Sequence, residues 1–144
     1  MSTVKGIDAA AVGQSVTLRK TVTGEDVRRF AELSGDDNPH HTDLAFAART
    51  RFGERIAHGA LLIAYVSAAF TRYVESWLER SVPLVSYGYD RIRFIKPVRF
   101  GDEIAVEHTI AEIDAAEAKL FADVKITNQR GELVAVARHV MRFV

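Results

Sequence analysis

Two acids and two histidines fall within six positions at Asp36-Asp37-Asn38-Pro39-His40-His41, inside a longer run from Phe30 to Asp43. A carboxyl group and an imidazole held together can pass protons at neutral pH, which is the work of a general acid/base pair. Asp36 and His41 are five residues apart with Pro39 between them, so a reversal there would let both side chains converge on one water. The neighbouring residues argue against a regular helix or strand. Gly35 supplies the positive φ at which a helix stops. Pro39 lacks an amide donor and steers Asn38 out of the helical region. The side chains are therefore expected on a rigid turn. The bland alternative is that Asp36 or Asp37 closes an Asx-turn and the histidines are solvated loop residues.

Elements on both sides must position this turn. Ser15 to Thr21 alternates through Val16 and Leu18 as a short strand, after an irregular lead-in over residues 1–13. Thr23 followed by Asp26 marks the start of a helix from Gly24 to Leu33. Val27, Phe30 and Ala31 form its inward stripe, while Arg28, Arg29 and Glu32 face water. Asp43 caps a second, short helix through Ala48, with Phe46 as its anchor. An Arg-rich connection over residues 49–57 leads to His58-Gly59.

From Gly59 to Phe70 the chain carries no charge, and a helix is expected to run on to about Leu78. Being apolar all round, it should be buried all round. The uncharged stretch from Gly59 to Phe70 is too short to span a membrane, which takes about 20 apolar residues. Everything after Pro83 reads as strand. Tyr87 to Ile95 alternates, with Ile92 and Phe94 opposite Arg91, Arg93 and Ile95. Three more strands follow, around Ile104 to Ile110, Leu120 to Ile126, and Leu133 to Phe143; Gly101-Asp102 and Asn128-Gln129-Arg130-Gly131 form turns. One apolar helix followed by antiparallel strands suggests an α+β chain whose sheet wraps the helix. An open sheet edge and an exposed helix flank would make a homodimer the natural assembly.

At 144 residues the chain is expected to be a single domain, 1–144, large enough for one core. It is 48% hydrophobic and 26% charged, as soluble globular proteins are. A formal net charge of +0 provides no global field to draw in nucleic acid or an anionic membrane. The absence of cysteine excludes disulfides, thiolate catalysis and cysteine-based metal sites. No metal-ligand spacing is seen and no cofactor is called for. The N-terminus lacks a basic region followed by an apolar core, so a cytoplasmic protein is expected.

Ser34-Gly35-Asp36-Asp37-Asn38-Pro39-His40-His41, then Ala45-Phe46-Ala47 and His58-Gly59-Ala60-Leu61-Leu62, resembles the MaoC-like (R)-specific enoyl-CoA hydratases. Phe94-Ile95-Lys96-Pro97-Val98, with Gly101-Asp102 beyond it, resembles the family's sheet, so the likeness covers nearly the whole chain. One position departs: His40 stands where the family carries an aliphatic residue. The resemblance implies the hot-dog fold, homodimers with active sites near the interface, and Asp36 with His41 as the catalytic dyad. It also implies contact of Ser67 with that dyad; a hydroxyl bonded back to its own helix is the alternative.

The implied reaction adds water reversibly to a trans-2-enoyl thioester of coenzyme A or acyl carrier protein, giving the (R)-3-hydroxyacyl product. It needs a base for the water, a proton donor, and hydrogen bonds to an oxyanion. Gly59, at a helix start where amides are free and no side chain blocks approach, can supply the last. Asn38 can orient the turn or touch substrate, and His58 can line the pocket or bond a nearby carbonyl. His108 and His139 read as structural. Arg91, Arg93, Lys96 and Arg99 can meet carrier phosphates or simply form a solvated face. An acyl-CoA thioesterase on the same fold and a non-catalytic acyl-CoA-binding module are the rival functions. Retention of both dyad residues argues against the module.

Overall fold

A computed structural model describes residues 6–144; the start of the expected lead-in, residues 1–5, lies outside them. A short 3-10 turn at Ile7–Ala9 precedes strand β1 (Ser15–Thr21). Helix α1 (Gly24–Ser34) begins with the expected capping box. Thr23 Oγ1 accepts from the Asp26 amide, and the Asp26 carboxyl accepts from the Thr23 amide. Such a cap contributes about 1 kcal/mol. The helix ends at Gly35, whose φ of 79° only glycine adopts without strain.

Beyond Gly35 the sequence expectation needs a correction. Pro39–Thr42 form one helical turn, α2, rather than an irregular reversal. Pro39 sits at the first helical position, where its missing amide costs nothing, and Asn38 caps it by accepting from the His40 amide at 3.1 Å. Helix α3 (Leu44–Ala48) is capped by Asp43 as expected, but Ala47 is its fully buried residue and Phe46 only half-buried.

Helix α4 (Gly59–Trp77) lies across the sheet, with Leu62, Val66, Ala69 and Tyr73 buried. It is not buried all round. Ala60, Ala64, Ser67 and Thr71 recur every three or four residues and face outward. Small residues suit either environment, so an apolar composition alone could not reveal this stripe.

The sheet has five antiparallel strands in the order β1-β3-β4-β5-β2, with β2 (Leu84–Phe94), β3 (Glu103–Asp114), β4 (Lys119–Thr127) and β5 (Leu133–Phe143). β3, β4 and β5 form the meander, whereas β2 pairs with β5 at the far edge. The alternation expected in β2 is broken by bulges at Ser86/Gly88 and Asp90/Arg93, with Arg91 at φ 55°. Phe94, at the end of this edge strand, lies 54% exposed, whereas Ile92 is half-buried. The core beneath α4 joins Val22, Val27 and Leu62 to Ile104, Val106 and Ile126. A sheet curled around one long helix is the hot-dog arrangement. Among the described residues no helix is long and apolar enough to cross a membrane.

Candidate active site

The turn after α1 is fixed by its own side chains. The Asp36 amide donates to Ser34 Oγ at 3.1 Å, and the Asn38 amide to Asp36 Oδ1 at 3.3 Å. Thr42 Oγ1 donates to the Asp37 carbonyl at 2.8 Å. The Asx-turn weighed as an alternative is therefore present, and one oxygen of Asp36 closes it. That bond leaves the other carboxyl oxygen free to face a ligand.

His41 is held from the opposite side. Its Nδ1 lies 2.7 Å from the Ile56 carbonyl, which can only accept, so Nδ1 carries the proton and Nε2 presents a lone pair. Burial holds the imidazole below its ordinary value, His58 and His40 push the same way, and the Ile56 carbonyl and Asp36 oppose them. The direction favours a ring that is a base at neutral pH. One donor atom each from Asp36, His41 and His58 lie within 4.8 Å of one another. The His41 and His58 rings stack at 3.8 Å and 26°, so their in-plane lone pairs run alongside rather than converging on one ion.

His58 stands at the N-cap of α4 but makes no cap hydrogen bond. Its ring is 1% exposed, and Nε2 lies 2.9 Å from the Asp36 carbonyl. The helix thus starts with amides that no capping side chain occupies, and Gly59 among them borders a cavity. An added Cβ on Gly59 would sit 2.5 Å from the Phe94 ring. Asn38 spends its Oδ1 on the α2 cap. Ser67 lies further along α4 on the outward stripe and lines neither cavity that His41 borders; among the described residues its hydroxyl makes no hydrogen bond. The structure therefore brings Asp36, His41 and His58 together, sets Gly59 beside them, and leaves Ser67 apart.

Two cavities meet at His41. The larger, about 580 Å³, is bordered by Arg28, Glu32, Thr42, Arg55 and Phe100. The smaller, about 250 Å³, is mostly apolar, with Gly59, Leu62, Phe94, Pro97 and Val98, and Arg51 and Lys96 at its margin. Of the four cations expected to meet phosphates, Lys96 pairs with Glu132 and Arg99 with Glu54; Arg91 and Arg93 lie exposed on the edge strand.

A family model described as MaoC like domain matches residues 8–129. The chain belongs to that family. Among its relatives, the (R)-specific enoyl-CoA hydratase of Aeromonas caviae is 31% identical over 91% of this chain and 93% of its own length. The 3-hydroxybutyryl-CoA dehydratase of Methylorubrum extorquens is 38% identical over 71% of this chain and 61% of its own. The chain spans less than two thirds of the length of three curated relatives it matches, and only 27% of one. The unliganded R-hydratase PhaJ1 of Pseudomonas aeruginosa superposes with a TM-score of 0.81 at 32% identity, covering 96% of this chain and 84% of that one. MaoC-family membership and the hot-dog fold agree with the resemblance carried by the Asp36–His41 motif.

What the motif could not reveal were the partners that hold it. The Ile56 carbonyl, the Phe94 ring and the edge of Phe30 against His58 all reach the site from distant sequence. None carries a local signal.

Proposed function

We propose that this protein is a hydro-lyase that adds water reversibly to trans-2-enoyl thioesters, giving (R)-3-hydroxyacyl thioesters. One observation carries the proposal: an imidazole nitrogen of His41 and a carboxyl oxygen of Asp36 lie within 4.8 Å of each other, and the bond from Nδ1 to Ile56 leaves Nε2 as the ring's acceptor. A water between them gives its proton to His41 as its oxygen bonds to C3. The C2–C3 double-bond electrons move toward the thioester oxygen, and C2 then takes a proton from the dyad. Amides at the start of α4, Gly59 first, meet the developing oxyanion; one such donor contributes about 2.7–4 kcal/mol. The acyl chain would occupy the apolar cavity beside Gly59, and the carrier would approach through the larger, charged one.

The reading extends to assembly. Val85, Tyr87, Phe94 and Ile95 leave a large apolar margin on edge strand β2, with Tyr87 58% exposed. Pairing of two β2 edges would cover it and set the outward stripe of α4 near a second copy. On this reading the 144 residues act as one domain within a homodimer, working in the cytoplasm with a coenzyme A or acyl carrier protein thioester.

Crotonyl-CoA is the first substrate to test, following loss of enoyl absorbance and reading product configuration with a stereospecific dehydrogenase. Formation of the (R)-3-hydroxy product is the expected result. Release of free thiol without hydration would instead favour the thioesterase.

A further inference from the structure

His58 is buried at the centre of the site but offers no surface to a ligand. Its ring sits between the edge of Phe30, at 4.8 Å and 62°, and the face of His41, at 3.8 Å. A carbonyl oxygen can only accept, so the 2.9 Å contact to the Asp36 backbone places the His58 proton on Nε2. One ring thereby touches both halves of the dyad, holding the backbone of Asp36 through a hydrogen bond and the imidazole of His41 through a stack. The carbonyl it bonds is 22 residues away, so this bond joins the start of α4 to the turn after α1.

We infer that His58 is a positioning residue that fixes the separation of Asp36 and His41, and that it does not itself bind substrate. The assignment rests on the Asp36/His41 dyad proposed above. The physical basis is geometric. Asp36 lies on an exposed turn whose other bonds are local, made to Ser34 and Asn38. The His58 bond is the one described that ties the Asp36 backbone to a long, packed helix. A catalytic group displaced by about 1 Å can cost roughly 10²-fold in rate.

The test uses substitutions that separate the donor from the ring. His58→Gln carries an amide donor near the place of Nε2, whereas His58→Asn offers the same chemistry one methylene shorter. His58→Phe keeps the stack and loses the donor. With crotonyl-CoA, His58→Asn and His58→Phe are expected to lower kcat by about 10- to 100-fold with KM within about twofold. His58→Gln should recover most of the loss. Ring ¹⁵N NMR, which needs no turnover, should show Nδ1–H on His41 and Nε2–H on His58 in the parent protein. In His58→Asn the His41 resonances should broaden or shift, and in His58→Gln they should stay near those of the parent.

A rise in KM with kcat unchanged would overturn the assignment by making His58 a substrate contact. So would His58→Asn and His58→Gln behaving alike, or His41 resonances indifferent to both. If the parent protein hydrates no enoyl thioester, the dyad reading fails. The NMR comparison would then still decide separately whether His58 clamps this turn.

Discussion

His41 donates through Nδ1 to the carbonyl oxygen of Ile56 at 2.7 Å, and that bond decides which of its nitrogens keeps a free lone pair. With Nδ1 committed, Nε2 is left as the ring's acceptor. The imidazole can then take a proton from water without first turning over.

Replacement of either dyad residue should remove hydration. Asp36→Asn and His41→Gln are each expected to lower kcat by at least about 10²- to 10⁴-fold while leaving the protein folded. His40→Leu should be tolerated, because the His40 ring packs edge-on against Phe46 and Phe52 instead of facing Asp36. If His40→Leu proved the inactivating change, the dyad would be misassigned. Steady-state kinetics with circular dichroism as the fold control decides the matter.

The rate should also depend on pH in a definite sense. His41 must be unprotonated to act as base, and burial lowers its pKa from the usual 6.5. The acid limb of the hydration rate should therefore have its midpoint below pH 6.5. A profile of kcat/KM against pH whose acid limb has its midpoint above 6.5 would contradict this.

Gly59→Ala should separate activity from stability. The new methyl would meet the far end of the Phe94 ring, which is exposed and can swing aside. A stability loss below about 1 kcal/mol is expected, because the neighbour can yield. Hydration should nevertheless fall sharply, since Phe94 would leave its place and the methyl would crowd the amide proposed to meet the oxyanion. Thermal unfolding and turnover, measured on the same sample, give both halves.

A buried histidine pair should make the fold acid-sensitive. His108 Nε2 lies 3.1 Å from His139 Nδ1, and His139 Nε2 lies 2.7 Å from Ser86 Oγ, with both rings 0% exposed. Burial lowers His108 to about 4; burial, together with His108 itself, lowers His139 to about 3. Both unfolded-state values lie near 6.5, so the unfolded chain binds more protons below that pH. Stability is full above about 6.5 and is lost as pH falls toward 3 to 4. His108→Leu should flatten this decline. At pH 7 it should cost about 1–3 kcal/mol, by stranding the His139 Nδ1. Unfolding midpoints across pH 4 to 8 test both effects.

The apolar margin of β2 predicts a charge-sensitive assembly. Tyr87→Asp should convert a dimer into monomer, and hydration should fall with it if the second copy completes the site. Sedimentation analysis beside turnover would show whether the two losses travel together.

Much of this molecule was legible in its sequence because the signals were local. Thr23 and Asp26 announced the start of α1, and Gly35 its end. Asp43 announced α3, and Asn128 to Gly131 a hairpin. Asp36 and His41 stood out by type and spacing as a pair able to meet on a turn, and the resemblance to the MaoC-like hydratases singled them out as a dyad. The one-turn helix at Pro39 is not legible locally, because a proline signals a helix break as readily as a first helical position. The bulges in β2 were invisible because period-2 alternation presumes an unbroken ladder. His58 was hardest to place. Its partner is a backbone carbonyl 22 residues back, and any residue type can supply a carbonyl.

Ile56 has one further consequence. Its amide donates to the His40 carbonyl at 3.1 Å, and its own carbonyl accepts from His41. The stretch from Thr42 to Arg55, helix α3 included, is therefore tied shut at its base, directly beside His41. Residues inside the noose, Arg51 and Phe52 among them, border the apolar cavity. On the proposed reaction, changes at Arg51 and Phe52 could admit a different acyl group while the knot keeps His41 in place. Substrate range and chemical competence can then drift independently on one short chain.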